Sequence, residues 1–340
     1  IYNCKEYYIS AKFSGKRNCI IMEIRKTAIV GAGALGIMYA DHIKRFIDSG
    51  AARAAGGSAY DSVSFVMDPA RYERHKDDVY TVNGVRMDFN VRSCEDYGAA
   101  DLVIVAVKAP GLRSAMNDVI AKITDEHTII ISSLNGISSE EILAEMFDSS
   151  RIVPCVAAGM DAMRDGSDLK FTQMGKLLIG KVVGLADAVQ QESLDTLVHY
   201  FERIGMPYSL EDDIMHAMWA KFMLNVGCNQ TCMVYSCTYG QLLTEPEINR
   251  SFMEAMQEVV AISEKEGIGL GRADIDHYIN IIKSLDPDGY PSMRQDAEAH
   301  RVSESEMFAG TVIRIAEKHG VDVPRNRWLL KRILEMESKY

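Results

Sequence analysis

The stretch KTAIVGAGALGIMYADHIKRFI (residues 26–47) carries the strongest fold signal in the chain. Its apolar start predicts a β-strand, its glycines predict a tight turn, and the remainder has the period of a helix. Gly31 would permit the turn, Gly33 would let a pyrophosphate approach the backbone, and Gly36 would let the helix pack closely on the strand. Since helix N-termini bind phosphates, the turn is a candidate dinucleotide site. Its residues are Gly31, Ala32, Gly33, Ala34, Leu35 and Gly36.

Strands and helices alternate through the first half of the chain. SVSFVMD (62–68), DLVIVAVK (101–108) and HTIIISSLNG (127–136) predict strands, and TVNGVRMDFNV (81–91) predicts a hairpin with Asn83-Gly84 at its turn. Such alternation indicates a mostly parallel sheet covered on both faces. From about residue 188 nearly every segment has a helical period. We therefore predict an α/β Rossmann-type dinucleotide-binding domain over residues 22–187, followed by an all-α domain over residues 188–340.

Residues 1–21 have neither a periodic pattern nor the apolar segment of a signal peptide. We expect them to be a disordered or non-native extension, with Met22 as the natural start.

The composition of the 340 residues excludes several classes of protein. With a net charge of -11, a nucleic-acid or anionic-membrane partner is not expected. The apolar runs are too short to cross a bilayer. The seven cysteines have irregular spacing, which predicts reduced thiols in a cytoplasmic protein and no metal site.

Polar residues follow the predicted strands. Asp68 ends the second strand, where an acid binds the ribose hydroxyl of NAD and a base accommodates the phosphate of NADP. Arg71 lies three residues later, so the two residues favour opposite cofactors. Asp68-Pro69 would equally well begin a helix, with Asp68 as its N-cap. Lys108 and Asn135 end the next two strands at the ligand-binding edge, although a solvated lysine and an ordinary Asn-Gly turn would also explain them.

The segment WAKFMLNVGCNQT (219–231) combines an apolar pattern with polar residues at every fourth position. In a helix, Lys221, Asn225 and Asn229 would lie on roughly one face, about 6 Å apart along the axis. Burying such groups without partners costs several kcal/mol, so the face must meet solvent or a cleft. Both interpretations stay open, although so narrow a polar stripe suits a cleft.

A second polar segment is PSMRQDAEAHRVSESEMFAG (291–310). Ser303 and Glu306 fit a capping box for the helix that follows. Glu304 would lie in its first turn, where the helix dipole favours a carboxylate. Ser292 belongs to a short predicted helix before it.

Over about residues 24–335, the chain resembles the ketopantoate reductase (2-dehydropantoate 2-reductase) family in the sequence and order of five motifs. These motifs are GAGALG, VAVK, LNG, WAKFMLNVGCNQT and SMRQDAEAHRVSESE. The resemblance implies reduction of a 2-keto acid by a nicotinamide cofactor, at a site between a Rossmann domain and a helical domain. It implies a catalytic Lys221 and Glu304, substrate binding by Asn225, Asn229 and Ser292, and cofactor contacts from Lys108 and Asn135.

The chemistry of these residue types agrees with that role. Hydride attack on a ketone leaves an alkoxide, so the site needs a proton donor and positive charge beside that oxygen. A protonated Lys221 would supply both, and burial should lower its pKa toward neutrality. Glu304 would orient the lysine.

The sequence departs from the family pattern around the substrate and cofactor. Gly111 stands in place of the family's glutamine, Asp68 in place of a basic residue, and Gln230 in place of a proline. Tyr239 and Gly289 stand in place of two asparagines. We expect an NADPH-dependent ketopantoate reductase, with NADH possible because of Asp68. The alternatives are a reductase of another 2-keto acid, using either cofactor, and a non-catalytic protein that senses nicotinamide nucleotides. The resemblance is compatible with a monomer or a homodimer.

Overall fold

The computed structural model describes residues 22–50, 61–182 and 187–340. The predicted extension over residues 1–21 lies outside the described residues. Within the described ranges, every helix is too short or too polar to cross a membrane.

The described strands are β1 (Lys26–Val30), β2 (Ser62–Met67), β3 (Tyr80–Val82), β4 (Val85–Met87), β5 (Asn90–Ser93), β6 (Leu102–Val105), β7 (Ile129–Ser132), β8 (Cys155–Ala158), β9 (Met163–Asp165), β10 (Asp168–Lys170), β11 (Lys176–Ile179) and β12 (Tyr208–Leu210). The described α-helices are α1 (Ala34–Asp48), α2 (Pro69–His75), α3 (Leu112–Asp118), α4 (Ser139–Ala144), α5 (Ala188–Ile204), α6 (Ile214–Leu224), α7 (Gln230–Tyr235), α8 (Tyr239–Thr244), α9 (Pro246–Lys265), α10 (Arg272–Ser284), α11 (Ser292–Glu298), α12 (Thr311–His319) and α13 (Pro324–Glu337).

The predicted parallel sheet is present, with strand order β5-β2-β1-β6-β7 and parallel pairing throughout. In the central strand β1, Ala28 and Val30 belong to one apolar layer and Ile29 to the other. Burial on both faces explains the almost continuous apolar runs of these strands. The Rossmann-type fold class predicted from the sequence is confirmed.

The predicted hairpin is also present, and a second sheet extends it. Asn83 and Gly84 both have positive φ, 50° and 78°, which matches the type I′ turn that Asn-Gly favours. Strand β3 pairs with β4 on one side and with β10 on the other. This pairing brings the β9–β10 hairpin against α1 and the glycine turn.

The α/β layers continue past the boundary predicted at residue 188. Helix α5 buries Leu197 and Phe201 in the same core as strands β1 and β2. Strand β12 then pairs in parallel with β11. Because these elements complete the α/β layers, the packing places the transition after Leu210. Helices α6 to α13 follow and enclose a separate core that contains Phe222, Phe252 and Phe308.

Two π-helical turns interrupt this helical region. The first covers Asn225–Asn229 and the second Glu306–Gly310. The predicted capping box of Ser303 and Glu306 is wrong, because the Ser303 N–H donates to the Glu337 carboxylate at 2.8 Å. Glu337 comes from α13, a partner that local sequence spacing does not reveal.

Candidate functional site

The glycine turn connects β1 to α1 as the sequence predicts. Gly31 has φ 115°, and a Cβ there would lie 2.5 Å from the Ala106 carbonyl. A Cβ on Gly36 would lie 2.0 Å from the Gly31 oxygen, so both positions require glycine. Helix α1 begins without a side-chain cap at Gly33, which leaves its first N–H groups available to an anion. A Cβ on Gly33 would meet only the Ala106 oxygen, at 3.4 Å. The turn therefore fits a dinucleotide pyrophosphate.

Arg164 reaches the glycine turn from the β9–β10 hairpin. Its guanidinium donates to the Ala32 carbonyl and, at 2.7 Å, to the Gly166 carbonyl. It thus places a positive charge beside the candidate phosphate site. No sequence motif marks Arg164, because the pairing of β10 with β3 is what brings its hairpin to the glycine turn.

Asp68 acts as the N-cap of α2. Its Oδ1 accepts from the Arg71 N–H at 2.9 Å, and Pro69 occupies the first helical position. Its other oxygen lies 3.6 Å from the Arg71 guanidinium. Of the two interpretations of Asp68, the N-cap is confirmed. Arg71 is half-exposed beside it, in the first turn of α2.

Lys221, Asn135 and Glu304 meet between the parallel sheet and the helical region. Lys221 Nζ donates to Asn135 Oδ1 at 3.1 Å and also to the Ala157 carbonyl. Asn135 Nδ2 donates to Glu304 Oε2 at 3.2 Å. Asn135 lies beyond β7, Lys221 on α6, and Glu304 just before the second π-helical turn. Three distant segments therefore place an amine, an amide and a carboxylate in one chain of hydrogen bonds.

Burial shifts the pKa values of both ionisable members. It lowers the pKa of Lys221 to about 8, against the opposing effect of the Glu304 charge. It raises the pKa of Glu304, while the Asn135 hydrogen bond and the charge of Lys108 act in the other direction. A lysine with such a pKa can both give up and take back a proton near neutral pH.

Asn225 and Asn229 lie at the two ends of the first π-helical turn, not on a continuous α-helix as predicted. They are 6% and 7% exposed, so the solvated-face interpretation is wrong for them. Asn225 Nδ2 is buried without a hydrogen-bond partner among the described residues. A buried amide donor without a partner is costly, and a ligand oxygen would satisfy it. Single π-helical turns are frequent at functional sites.

Helix α11 carries Ser292 at its first position and packs on α7 and the first π-helical turn. Ser292 is exposed there. On the same helix, the Asp296 carboxylate lies 3.2 Å from Lys108 Nζ. The structure therefore connects Lys108, which follows β6, with the helix of Ser292.

Gln230 serves the core and not the substrate periphery. It is fully buried. Its Nε2 donates to the Val226 carbonyl at 2.8 Å, and its Oε1 accepts from the Ala309 N–H at 3.2 Å. Val226 and Ala309 belong to the two different π-helical turns. The amide therefore joins those turns, which explains a polar residue at this buried position.

Tyr239 and Gly289 are in direct contact. The Tyr239 N–H donates to the Gly289 carbonyl at 2.9 Å. A Cβ added to Gly289 would lie 3.3 Å from the Tyr239 ring. The ring therefore covers the glycine in the loop that leads into Ser292.

Comparison with known proteins identifies relatives over most of the chain. The family model described as ketopantoate reductase PanE/ApbA matches residues 27–184, and its C-terminal counterpart matches residues 213–337. The 2-dehydropantoate 2-reductase of Streptococcus pyogenes serotype M1 is 24% identical over 240 residues, covering 70% of this chain and 76% of the relative. That of Vibrio cholerae is 24% identical over 242 residues, covering 71% and 79%.

Solved structures show the same fold at low sequence identity. D-mandelate dehydrogenase, in a ternary structure with NADH and anilino(oxo)acetate, has a TM-score of 0.77 and 21% identity, covering 92% of this chain and 99% of its own. A dimeric ketopantoate reductase from Staphylococcus aureus has a TM-score of 0.72 and 19% identity, with the same coverage.

Proposed function

The chain belongs to the ketopantoate reductase family of oxidoreductases, and on that premise we propose that it reduces 2-dehydropantoate to pantoate with NADPH, in the synthesis of pantothenate and coenzyme A. The observation that carries the proposal is the hydrogen-bonded chain of Lys221, Asn135 and Glu304, where the two halves of the protein meet.

The roles of the residues follow from their chemistry. The bound nicotinamide would supply a hydride to the carbonyl carbon. Lys221 donates a proton to the carbonyl oxygen as the C–O double bond becomes single, and is left as a neutral amine. Its positive charge stabilises the developing alkoxide before the transfer. Glu304 acts through Asn135, which holds the lysine in place.

Asn225, Asn229 and Ser292 would bind the remainder of the substrate. Amides and a hydroxyl can donate to a carboxylate without adding charge to the site. The unpartnered Nδ2 of Asn225 supports this role most directly. The glycine turn would hold the pyrophosphate, and Lys108 and Arg71 would contact other polar groups of the cofactor.

For the cofactor, we propose NADPH only modestly ahead of NADH. The Asp68 carboxylate is engaged by its own helix and by Arg71, which weakens its preference for a ribose hydroxyl. Arg164 adds positive charge at the glycine turn, which suits either dinucleotide.

Steady-state kinetics with ketopantoate and a panel of other 2-keto acids, each with NADPH and NADH, test this function. We expect ketopantoate and NADPH to give the highest kcat/KM. Lys221→Ala should lower kcat by about 100- to 10,000-fold, as expected for loss of a general acid. Lys283→Ala, an exposed lysine of α10, is the matched control. Wild-type rates with Lys221→Ala would contradict the catalytic assignment.

The second candidate is a reductase of another 2-keto acid, supported by the Tyr239 ring over Gly289. An aromatic wall next to the Ser292 loop suits an apolar substituent better than a hydroxylated one. A higher kcat/KM for an apolar 2-keto acid than for ketopantoate, reversed in Tyr239→Asn, would favour this candidate. Binding of NADPH without turnover of any acid in the panel would indicate a nucleotide-sensing protein instead.

A further inference from the structure

Asp296 forms an ionic contact between the two halves of the protein. Its carboxylate oxygens lie 3.2 and 3.4 Å from Lys108 Nζ. Arg301 Nε donates to the same carboxylate at 2.7 Å, and the Arg301 N–H donates to the Asp296 carbonyl. The Asp296 side chain is only 11% exposed, whereas that of Lys108 is 60% exposed. The acid is thus fixed, and the lysine can take a further ligand.

The two partners lie on opposite sides of the candidate cleft. Lys108 follows β6, at the carboxyl edge of the parallel sheet where dinucleotides bind. Asp296 lies four residues after Ser292 on α11, so both residues lie on nearly the same face of that helix. The contact therefore joins Lys108, which is proposed to bind the cofactor, to the helix that carries Ser292, which is proposed to bind the substrate.

The charges of Lys108 and Asp296 also act on Glu304. The positive charge of Lys108 lowers the pKa of Glu304, and the negative charge of Asp296 raises it. A change in the Lys108–Asp296 contact is thereby felt at Glu304.

We propose that Asp296 is a positioning residue that holds α11 against the sheet through Lys108. Its negative charge also weakens the electrostatic attraction between Lys108 and the cofactor. The proposal rests on the proposed function for the placement of cofactor and substrate. It assigns Asp296 no contact with either of them.

Removing the negative charge should have opposite effects on the two ligands. In Asp296→Asn the full charge of Lys108 becomes available to a cofactor phosphate, so NADPH should bind more tightly. The same variant loses the ionic tie between α11 and the sheet, so Ser292 is held less firmly and the KM of the 2-keto acid should rise. A residue that only stabilised the fold would weaken both.

NADPH fluorescence titration of wild type, Asp296→Asn, Lys108→Met and the double variant tests the coupling without turnover. We expect Asp296→Asn to lower the Kd two- to fivefold, and Lys108→Met to raise it. In the Lys108→Met background, Asp296→Asn should change the Kd by less than 1.5-fold. Equal changes in both backgrounds, or a higher Kd in Asp296→Asn alone, would overturn the proposal.

Kinetics complete the test. Asp296→Asn should raise the KM of the 2-keto acid five- to twentyfold while kcat changes less than threefold. Glu298→Gln is the matched control, because, among the described residues, this acid of α11 accepts hydrogen bonds only from Tyr290 and Arg294, which belong to the same segment. A KM increase no larger than that of Glu298→Gln would also overturn the proposal. If Asp296→Asn does not fold, Asp296→Glu, which keeps the charge but alters the reach, takes its place and should raise the KM in the same way.

The titration separates this proposal from the proposed function. A wild-type protein that reduces no 2-keto acid would contradict the function, while the four Kd values would still decide whether Asp296 controls Lys108.

Discussion

The side-chain amide of Asn135 joins Lys221 to Glu304, accepting from the amine at 3.1 Å and donating to the carboxylate at 3.2 Å. An ammonium can only donate and a carboxylate can only accept, so one orientation of the amide satisfies both. No ion pair within 4.0 Å joins the two charged groups directly. Hydrogen bonding therefore connects Glu304 to Lys221 through a neutral amide, while the Glu304 charge still opposes the lowering of the lysine pKa by burial.

Replacing Asn135 should impair turnover more than cofactor binding. Asn135→Ala removes both hydrogen bonds, and we expect kcat to fall by about 10- to 100-fold because the general acid is no longer held in place. Asn117→Ala, an exposed asparagine that donates to the Arg113 carbonyl, is the control. A kcat within twofold of wild type would show that the amide does not position Lys221.

The rate of reduction should depend on the protonation of Lys221. Because its pKa is lowered to about 8, the reactive ammonium is lost as the pH rises through that value. We expect kcat/KM for the ketone to fall above about pH 8, and that for oxidation of the alcohol to rise over the same range. Asn135→Asp places a negative charge beside the amine and should move both limbs to higher pH. Profiles that stay flat to pH 9.5 would contradict the role of Lys221.

Gln230 should matter for stability and not for substrate choice. Gln230→Ala leaves buried polar groups of both π-helical turns without their partner and opens a small cavity. We expect the free energy of unfolding, measured with urea, to fall by about 2–4 kcal/mol. Gln173→Ala, an exposed side chain, should change it by less than about 0.5 kcal/mol. The ratio of kcat/KM between two 2-keto acids should not change in either variant. A changed ratio in Gln230→Ala would show that Gln230 influences substrate choice.

Arg164 should contribute to cofactor affinity. Arg164→Met removes a guanidinium beside the glycine turn, and we expect the Kd of NADPH and of NADH to rise by about three- to tenfold, since the pyrophosphate is common to both. Arg272→Met is the control, because Arg272 pairs with Asp276 within α10. An effect on NADPH alone would place the guanidinium at the ribose phosphate, and unchanged Kd values would exclude a binding role.

Features that depend only on neighbouring residues could be predicted from the sequence. The glycine turn, the alternation of strands and helices, and the Asn83-Gly84 hairpin follow from local backbone preferences, and the structure contains all three. The family motifs likewise marked Lys221, Asn135 and Glu304 individually. Their spacing in the chain gave no information on how the three would be connected.

Which side chains contact one another depends on tertiary packing, and local sequence patterns do not reveal it. Asn135 is 86 residues from Lys221 and 169 from Glu304, and Lys108 is 188 residues from Asp296. Arg164 reaches Ala32 across 132 residues. Contacts over such separations depend on strand register and helix packing, which are properties of the whole chain. The two π-helical turns are of the same kind, because Gln230 stabilises them through a contact with Ala309, 79 residues away.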